Sequence, residues 1–207
     1  MTRKDYDKLI HSFCDTKDVK LLSNERNKGY YFPFAKLCDN STVKIEAQQQ
    51  MEGDVRQGIC IDIFPLDNYS NCYLAARVQA AFSRIKIALF TLERMHDYKG
   101  KGGVKKAVYI LAKAIGRSRL QKWILRLPKV KSGQSRYVGN RVWAVYGTRE
   151  VVKSQCFKKT LEADFENEKF IIPVGFDEYL TSLYGDYRSD PPKEKQKTHH
   201  SYKAYRL

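Results

Sequence analysis

The chain has 207 residues, 43% of them hydrophobic, with 14 Tyr and 10 Phe, and a formal net charge of +15. That is enough apolar material for one folded domain and too much for a disordered chain, and no stretch nears the ~20 apolar residues that span a bilayer. The five cysteines are odd in number and form no C-x-x-C pair, which argues against a zinc or disulfide framework and for reduced, mostly buried thiols.

The charge is local. Between Arg77 and Lys131, fifteen Lys and Arg stand against two acids, Glu93 and Asp97. Such a field attracts nucleic acid, anionic lipid or nucleotide-bearing substrates, or else marks a solvated helical face. Specific nucleic-acid binding is not expected. The basic residues sit on amphipathic runs with no helix-turn-helix or zinc signature and no interleaved aromatic platforms. No signal peptide is visible, because Met1-Thr2-Arg3-Lys4-Asp5 opens directly into charge.

In chain order, Thr2 is placed to cap a helix over residues 3–13, with Tyr6, Leu9, Ile10 and Phe13 on one side. A helix at the first residue reads as the middle of a larger fold. Residues 30–37 read as a strand, with Pro33 at an edge or bulge. Asp39-Asn40-Ser41 is turn chemistry, and residues 42–46 return as the second arm of a hairpin. After a loop over 51–56, residues 57–64 form a third strand.

That third strand carries Gly58-Ile59-Cys60-Ile61-Asp62-Ile63-Phe64-Pro65-Leu66-Asp67. Ile59, Ile61 and Ile63 alternate onto one face, and Cys60, Asp62 and Phe64 onto the other. A carboxylate here is either paired, by a metal ion or a cationic substrate, or solvated on a wet face. Pro65 ends the strand, and Asp67 reads as a turn residue.

Residues 73–96 are helical, with Leu74, Val78, Ala81, Phe82, Ile85, Leu89 and Leu92 at threes and fours. Lys99-Gly100-Lys101-Gly102-Gly103 breaks the run. A second amphipathic run covers 104–127, interrupted at Gly116-Arg117-Ser118. The two make a basic helical hairpin within residues 73–131. Its apolar side is ordinary core, or else Trp123, Ile124 and Leu127 beside Lys122 and Arg126 meet an anionic membrane surface. A second hairpin turns at Glu166-Asn167, a helix over 176–184 ends at Gly185, and the tail from Ser189 reads as loop.

Gly58-x-x-Ile61-Asp62-Ile63-Phe64-Pro65-Leu66-Asp67 resembles the central motif of the LicD family. Its members are phosphocholine and related phosphotransferases, with fukutin and fukutin-related protein as distant relatives. Met1 to Tyr6 resembles the family's helix just after its acidic motif. Phe34-Ala35-Lys36-Leu37, followed by Asn40-Ser41-Thr42, resembles its first hairpin. Phe165-Glu166, Ile172-Pro173, Tyr179-Leu180, Tyr184-Gly185-Asp186-Tyr187, Pro191-Pro192-x-x-Lys195 and His199-His200 resemble its C-terminal signature. The resemblance is weakest over 73–131.

The resemblance implies an α+β fold, a nucleotidyltransferase-like mixed sheet in a single domain over residues 1–207 with a basic helical insertion. The family's G-T-x-L-G and D-D-x-D-like segments have no counterpart here, so the sheet is expected to be incomplete and the domain truncated at its N-terminus. The implied reaction moves phosphocholine or a similar phospho-alcohol from a CDP-linked donor to a cell-surface glycan precursor, with magnesium bridging carboxylates and phosphates. Asp62 would be a metal ligand or a base, and Lys36, Lys195, His199 and His200 would bind substrate. Two adjacent histidines cannot both face one site, so at most one of that pair acts. One remaining carboxylate holds magnesium only if the acidic motif is supplied, by a segment upstream of Met1 where the gene is truncated or its start called too late, or by a separate chain. The chain alone is therefore expected to be inactive or nearly so, a nonenzymatic remnant being the alternative. Its expected place is the cytoplasm, peripheral at the inner face of the membrane.

Overall fold

The computed structural model describes residues 1–30, 32–46, 57–94, 103–126, 135–196 and 202–207. In chain order the elements are α1 (Arg3–Ser12), β1 (Val19–Leu22), β2 (Ala35–Asp39), β3 (Thr42–Glu46), β4 (Cys60–Ile63), β5 (Asp67–Asn68) and α2 (Tyr73–Arg94). There follow α3 (Gly103–Ile115), α4 (Arg117–Leu125), β6 (Tyr137–Gly139), β7 (Val152–Lys153), β8 (Thr160–Phe165), β9 (Glu168–Pro173), α5 (Phe176–Tyr184) and β10 (Tyr202–Arg206). The class is α+β, as expected, and the described strands pair antiparallel.

The chain divides into two compact units, Met1–Pro65 with Ser189–Leu207, and Leu66–Arg188. In the first, Thr2 caps α1 by accepting from the Asp5 N–H at 3.2 Å. The apolar side of α1 is the expected one. Tyr6 and Ile10, flanked by Leu9 and Phe13, pack on Leu21, Ala35, Leu37 and Ile63 of a sheet ordered β1-β2-β4. The opposite sheet face gathers Leu22, Tyr30, Cys38, Phe32 and Cys60.

The expected pairing of residues 42–46 does not form. β2 lies between β1 and β4, so both of its hydrogen-bonding edges are taken. β3 instead pairs with β10, Thr42 opposite Arg206 and Glu46 opposite Tyr202. The tail is therefore not all loop, and its last strand returns to the unit that holds Asp62.

In the second unit β5, β6 and β7 form a small sheet. α2 packs beside it through Ala76 and Ala80, against Tyr69 and Val151. This corrects the expected face except at Leu89, which is buried as expected. Ala76, Ala80, Ile87 and Phe90 are buried, whereas Leu74, Val78, Phe82 and Ile85 are exposed. The alanines let the helix approach closely, where the bulkier side chains would hold it off. Gly116, at φ 81°, separates α3 from α4 at the expected interruption. Ile124 is buried, and the Lys86 ammonium lies 5.0 Å from the centre of the Trp123 ring; Leu127 lies outside the described residues. The β8–β9 hairpin turns through Glu166 at φ 54°, and Gly185 ends α5 at φ 78°, its N–H on the Thr181 carbonyl.

Candidate functional site

β2 and β4 run antiparallel with Lys36 opposite Asp62 and Cys38 opposite Cys60. All four side chains share one sheet face, because residues two apart on a strand point the same way. The Lys36 ammonium lies 3.2 Å from Asp62 Oδ1. The lysine side chain is 9% exposed and the aspartate 41%, so the pair has one dry partner and one wet partner. The Phe32 ring faces the ammonium at 4.5 Å, and that of Phe34 at 5.7 Å. Asp62 and the rings together balance a charge that burial would otherwise penalise.

Tyr30 adds a buried hydroxyl to the same face. Among the described residues its Oη has no hydrogen-bond partner. Burial, then the Asp62 charge, push its pKa above the ordinary phenol value. Gly58 opens the motif because nothing larger fits. A Cβ there would collide with the Asp39 carbonyl oxygen and come within 2.7 Å of Thr42 Oγ1. The same Thr42 Oγ1 accepts from the Ile59 N–H at 2.8 Å, which fixes where β4 begins.

Cys38 and Cys60 are joined as a disulfide, with Cα atoms 4.1 Å apart. This corrects the expectation of reduced thiols throughout. Cys14 and Cys72 are free and exposed, and Cys156 is free and buried. The physical reason is register: two cysteines directly opposite on paired strands are brought within bonding reach. On the other face of β4, Ile63 packs under α1 while Ile59 and Ile61 are exposed.

Of the residues singled out from sequence, Lys36 and Asp62 are brought together. Lys195 ends a 3-10 turn, Lys193–Lys195, of the same unit. His199 and His200 lie outside the described residues. Asp67 is not in a turn. It is buried and starts β5, opposite Gly139. Tyr30, Phe32 and the two cysteines were not picked out as site residues. The aromatic run from Tyr30 to Phe34 was the available signal.

Magnesium prefers several oxygen ligands in octahedral array. Asp62 is already paired with an ammonium, and no group of three His, Cys, Asp or Glu suited to a metal occurs among the described residues. The described residues do not make a magnesium site. What the face does offer is a half-exposed carboxylate, able to accept a proton or a hydroxyl hydrogen bond, beside a desolvated ammonium suited to phosphate oxygens. The second unit has an open cleft of about 500 Å³, lined by Tyr73, Tyr137, Asp177 and Glu178 among others. Both carboxylates are engaged there, Asp177 with Arg188 at 2.8 Å and Glu178 with Lys153 at 3.6 Å.

The chain is similar to the lipopolysaccharide cholinephosphotransferase LicD of Haemophilus influenzae. The two are 30% identical over 127 residues, 60% of this chain and 48% of that protein. The chain thus spans about half the length of the curated relative it matches. No protein-family profile and no solved structure matches the chain. No helix among the described residues is long and apolar enough to cross a membrane.

Proposed function

We propose that the chain is the body of a LicD-like phosphotransferase. Its reaction would move phosphocholine or a similar phospho-alcohol from a CDP-linked donor to a glycan precursor of lipopolysaccharide, teichoic acid or capsule. The partial likeness to a cholinephosphotransferase supports the class. The observation that carries the site is the Lys36–Asp62 pair, one row from the Cys38–Cys60 bridge. In this reading Lys36 faces donor phosphate, and Asp62 takes the acceptor hydroxyl proton. Lys195 and one of the pair His199 and His200 contribute to substrate binding from the tail that ends in β10.

Magnesium enters this proposal only with carboxylates additional to Asp62, brought by an upstream segment or by a separate chain. The chain on its own is then a binding body with little or no turnover. It would work in the cytoplasm at the inner membrane face, where lipid-carried precursors sit and reductants hold Cys38 and Cys60 as thiols; the bridge then belongs to the oxidised chain.

Calorimetric titration with CDP-choline, CDP-ethanolamine and CMP tests the reading. CDP-choline should bind, and Lys36→Met should weaken it about tenfold, as loss of one charge-assisted phosphate contact does. Absence of binding by every CDP-alcohol, or binding untouched by both Lys36→Met and Asp62→Asn, would overturn it.

A further inference from the structure

The outward face of α2 is a stripe. Leu74, Val78, Phe82 and Ile85 recur at steps of four, four and three, and are 71%, 48%, 60% and 52% exposed. A single exposed apolar residue is ordinary, but four large ones on one helix face are a surface with a use. α3 also exposes large apolar side chains, Val104 and Leu111 on one face and Ile110 on another, with Ala112 buried.

Charge narrows what can cover the stripe. Among the described residues from Tyr73 to Arg126 the one acid is Glu93, which is buried and bonded to Arg117 at 3.1 Å. Arg77 and Arg84 are exposed on the same helix, about 60–80° round from Leu74 on the side away from Phe82 at 100° per residue, so they flank one edge of the strip, Arg84 with its stem against Gly147. The partner must therefore accept apolar side chains to the depth of one layer and present negative charge at its edge. Nucleic acid offers the charge without the apolar layer. A second copy packed about a two-fold axis would set these arginines near their own kind. A bilayer with anionic headgroups offers both properties.

We propose that α2 is an interfacial helix that docks this chain on an anionic lipid surface, lying along it with Leu74, Val78, Phe82 and Ile85 immersed. The proposal stands without the transferase reading: lipid docking and CDP-choline binding are separate measurements, and either can fail alone.

The test is co-sedimentation of the full chain with vesicles of mixed phosphatidylglycerol and phosphatidylcholine, and with pure phosphatidylcholine, at about 0.1 M and about 0.5 M salt. Binding is expected to the mixed vesicles only, and weaker at the higher salt. A Phe82→Ser, Ile85→Ser variant should lose binding about tenfold while keeping its circular dichroism and melting temperature, because both side chains are exposed. An Arg77→Gln, Arg84→Gln variant should lose the preference for anionic vesicles. Equal binding to both vesicles, binding to neither, or full binding by the serine variant overturns the proposal. So does sedimentation velocity showing a dimer that the serine substitutions dissociate, or capture of the stripe by an acidic protein with no lipid affinity.

Discussion

Lys36 and Asp62 face one another directly across β2 and β4, their charged atoms 3.2 Å apart, with the lysine the more deeply buried partner. Removing the carboxylate therefore costs more than removing the ammonium. Asp62→Asn leaves a desolvated charge with only aromatic faces and an amide beside it. We expect a loss of about 1–2 kcal/mol in urea unfolding, below the full cost of a broken buried pair because Asp62 is half in water. Lys36→Met removes the buried charge and keeps the stem's apolar contacts, and should cost under about 1 kcal/mol. The reverse ranking would show that Lys36 does not depend on Asp62.

The Cys38–Cys60 bridge closes a loop across a sequence separation of 22 residues. Constraining the unfolded chain by such a loop is worth about 3 kcal/mol. Dithiothreitol should therefore lower the melting temperature, and a Cys38→Ala, Cys60→Ala variant should melt near the reduced protein and ignore the reagent. Thiol titration in denaturant should count Cys14, Cys72 and Cys156 alone before reduction and all five cysteines after it. Five reactive thiols in the untreated chain would remove the bridge from the account of this site.

Glu150 gives a pH signature in the second unit. Its carboxylate is buried, and burial raises its pKa from 4.5 to about 7, against the opposing pull of the Tyr146 and Asn140 backbone hydrogen bonds. The folded state then holds this proton more tightly than the unfolded state. Its contribution is complete below pH 4.5 and is lost as the pH rises through about 7. The loss amounts to about 3 kcal/mol across that window. Glu150→Gln keeps an acceptor for the Tyr146 N–H and should flatten that part of the stability–pH curve. An unchanged slope in the variant would assign the pH dependence elsewhere.

Gly58→Ala should destabilise the first unit by about 1–3 kcal/mol, the usual cost of forcing atoms into filled space. The new methyl group would meet the Asp39 carbonyl and Thr42 Oγ1, and so disturb the hydrogen bond that starts β4. Chemical unfolding measures it; a neutral outcome would mean that the Asp39 turn yields freely.

What was legible in the sequence was local. Thr2 before α1, Gly185 after α5 and the turn at Glu166 are decided by residues a few places apart, and each stands where it was expected. Strand partners are decided at long range. Nothing near Thr42 tells it to pair with Arg206 rather than with β2, because that choice follows from β1 and β4 having filled both edges of β2. The pairing of Cys38 with Cys60 was not expected for the same reason, since only the register sets them opposite. Lys36 and Asp62 were each chosen for their chemistry, but their pairing was not foreseen. The α2 face misled in another way. Side-chain size pointed to the leucine and phenylalanine stripe as core, while close packing on Tyr69 and Val151 selected the alanines.

The pairing of β3 with β10 also sets a timetable. The second unit is one unbroken stretch, Leu66–Arg188, which can fold as soon as it leaves the ribosome. The first unit is assembled from two separated stretches, Met1–Pro65 and Ser189–Leu207, so β3 waits through the synthesis of Leu66–Arg188 for Tyr202–Arg206. During that interval its free edge is open to any other strand. Deleting Tyr202–Arg206 would leave that edge uncovered for good.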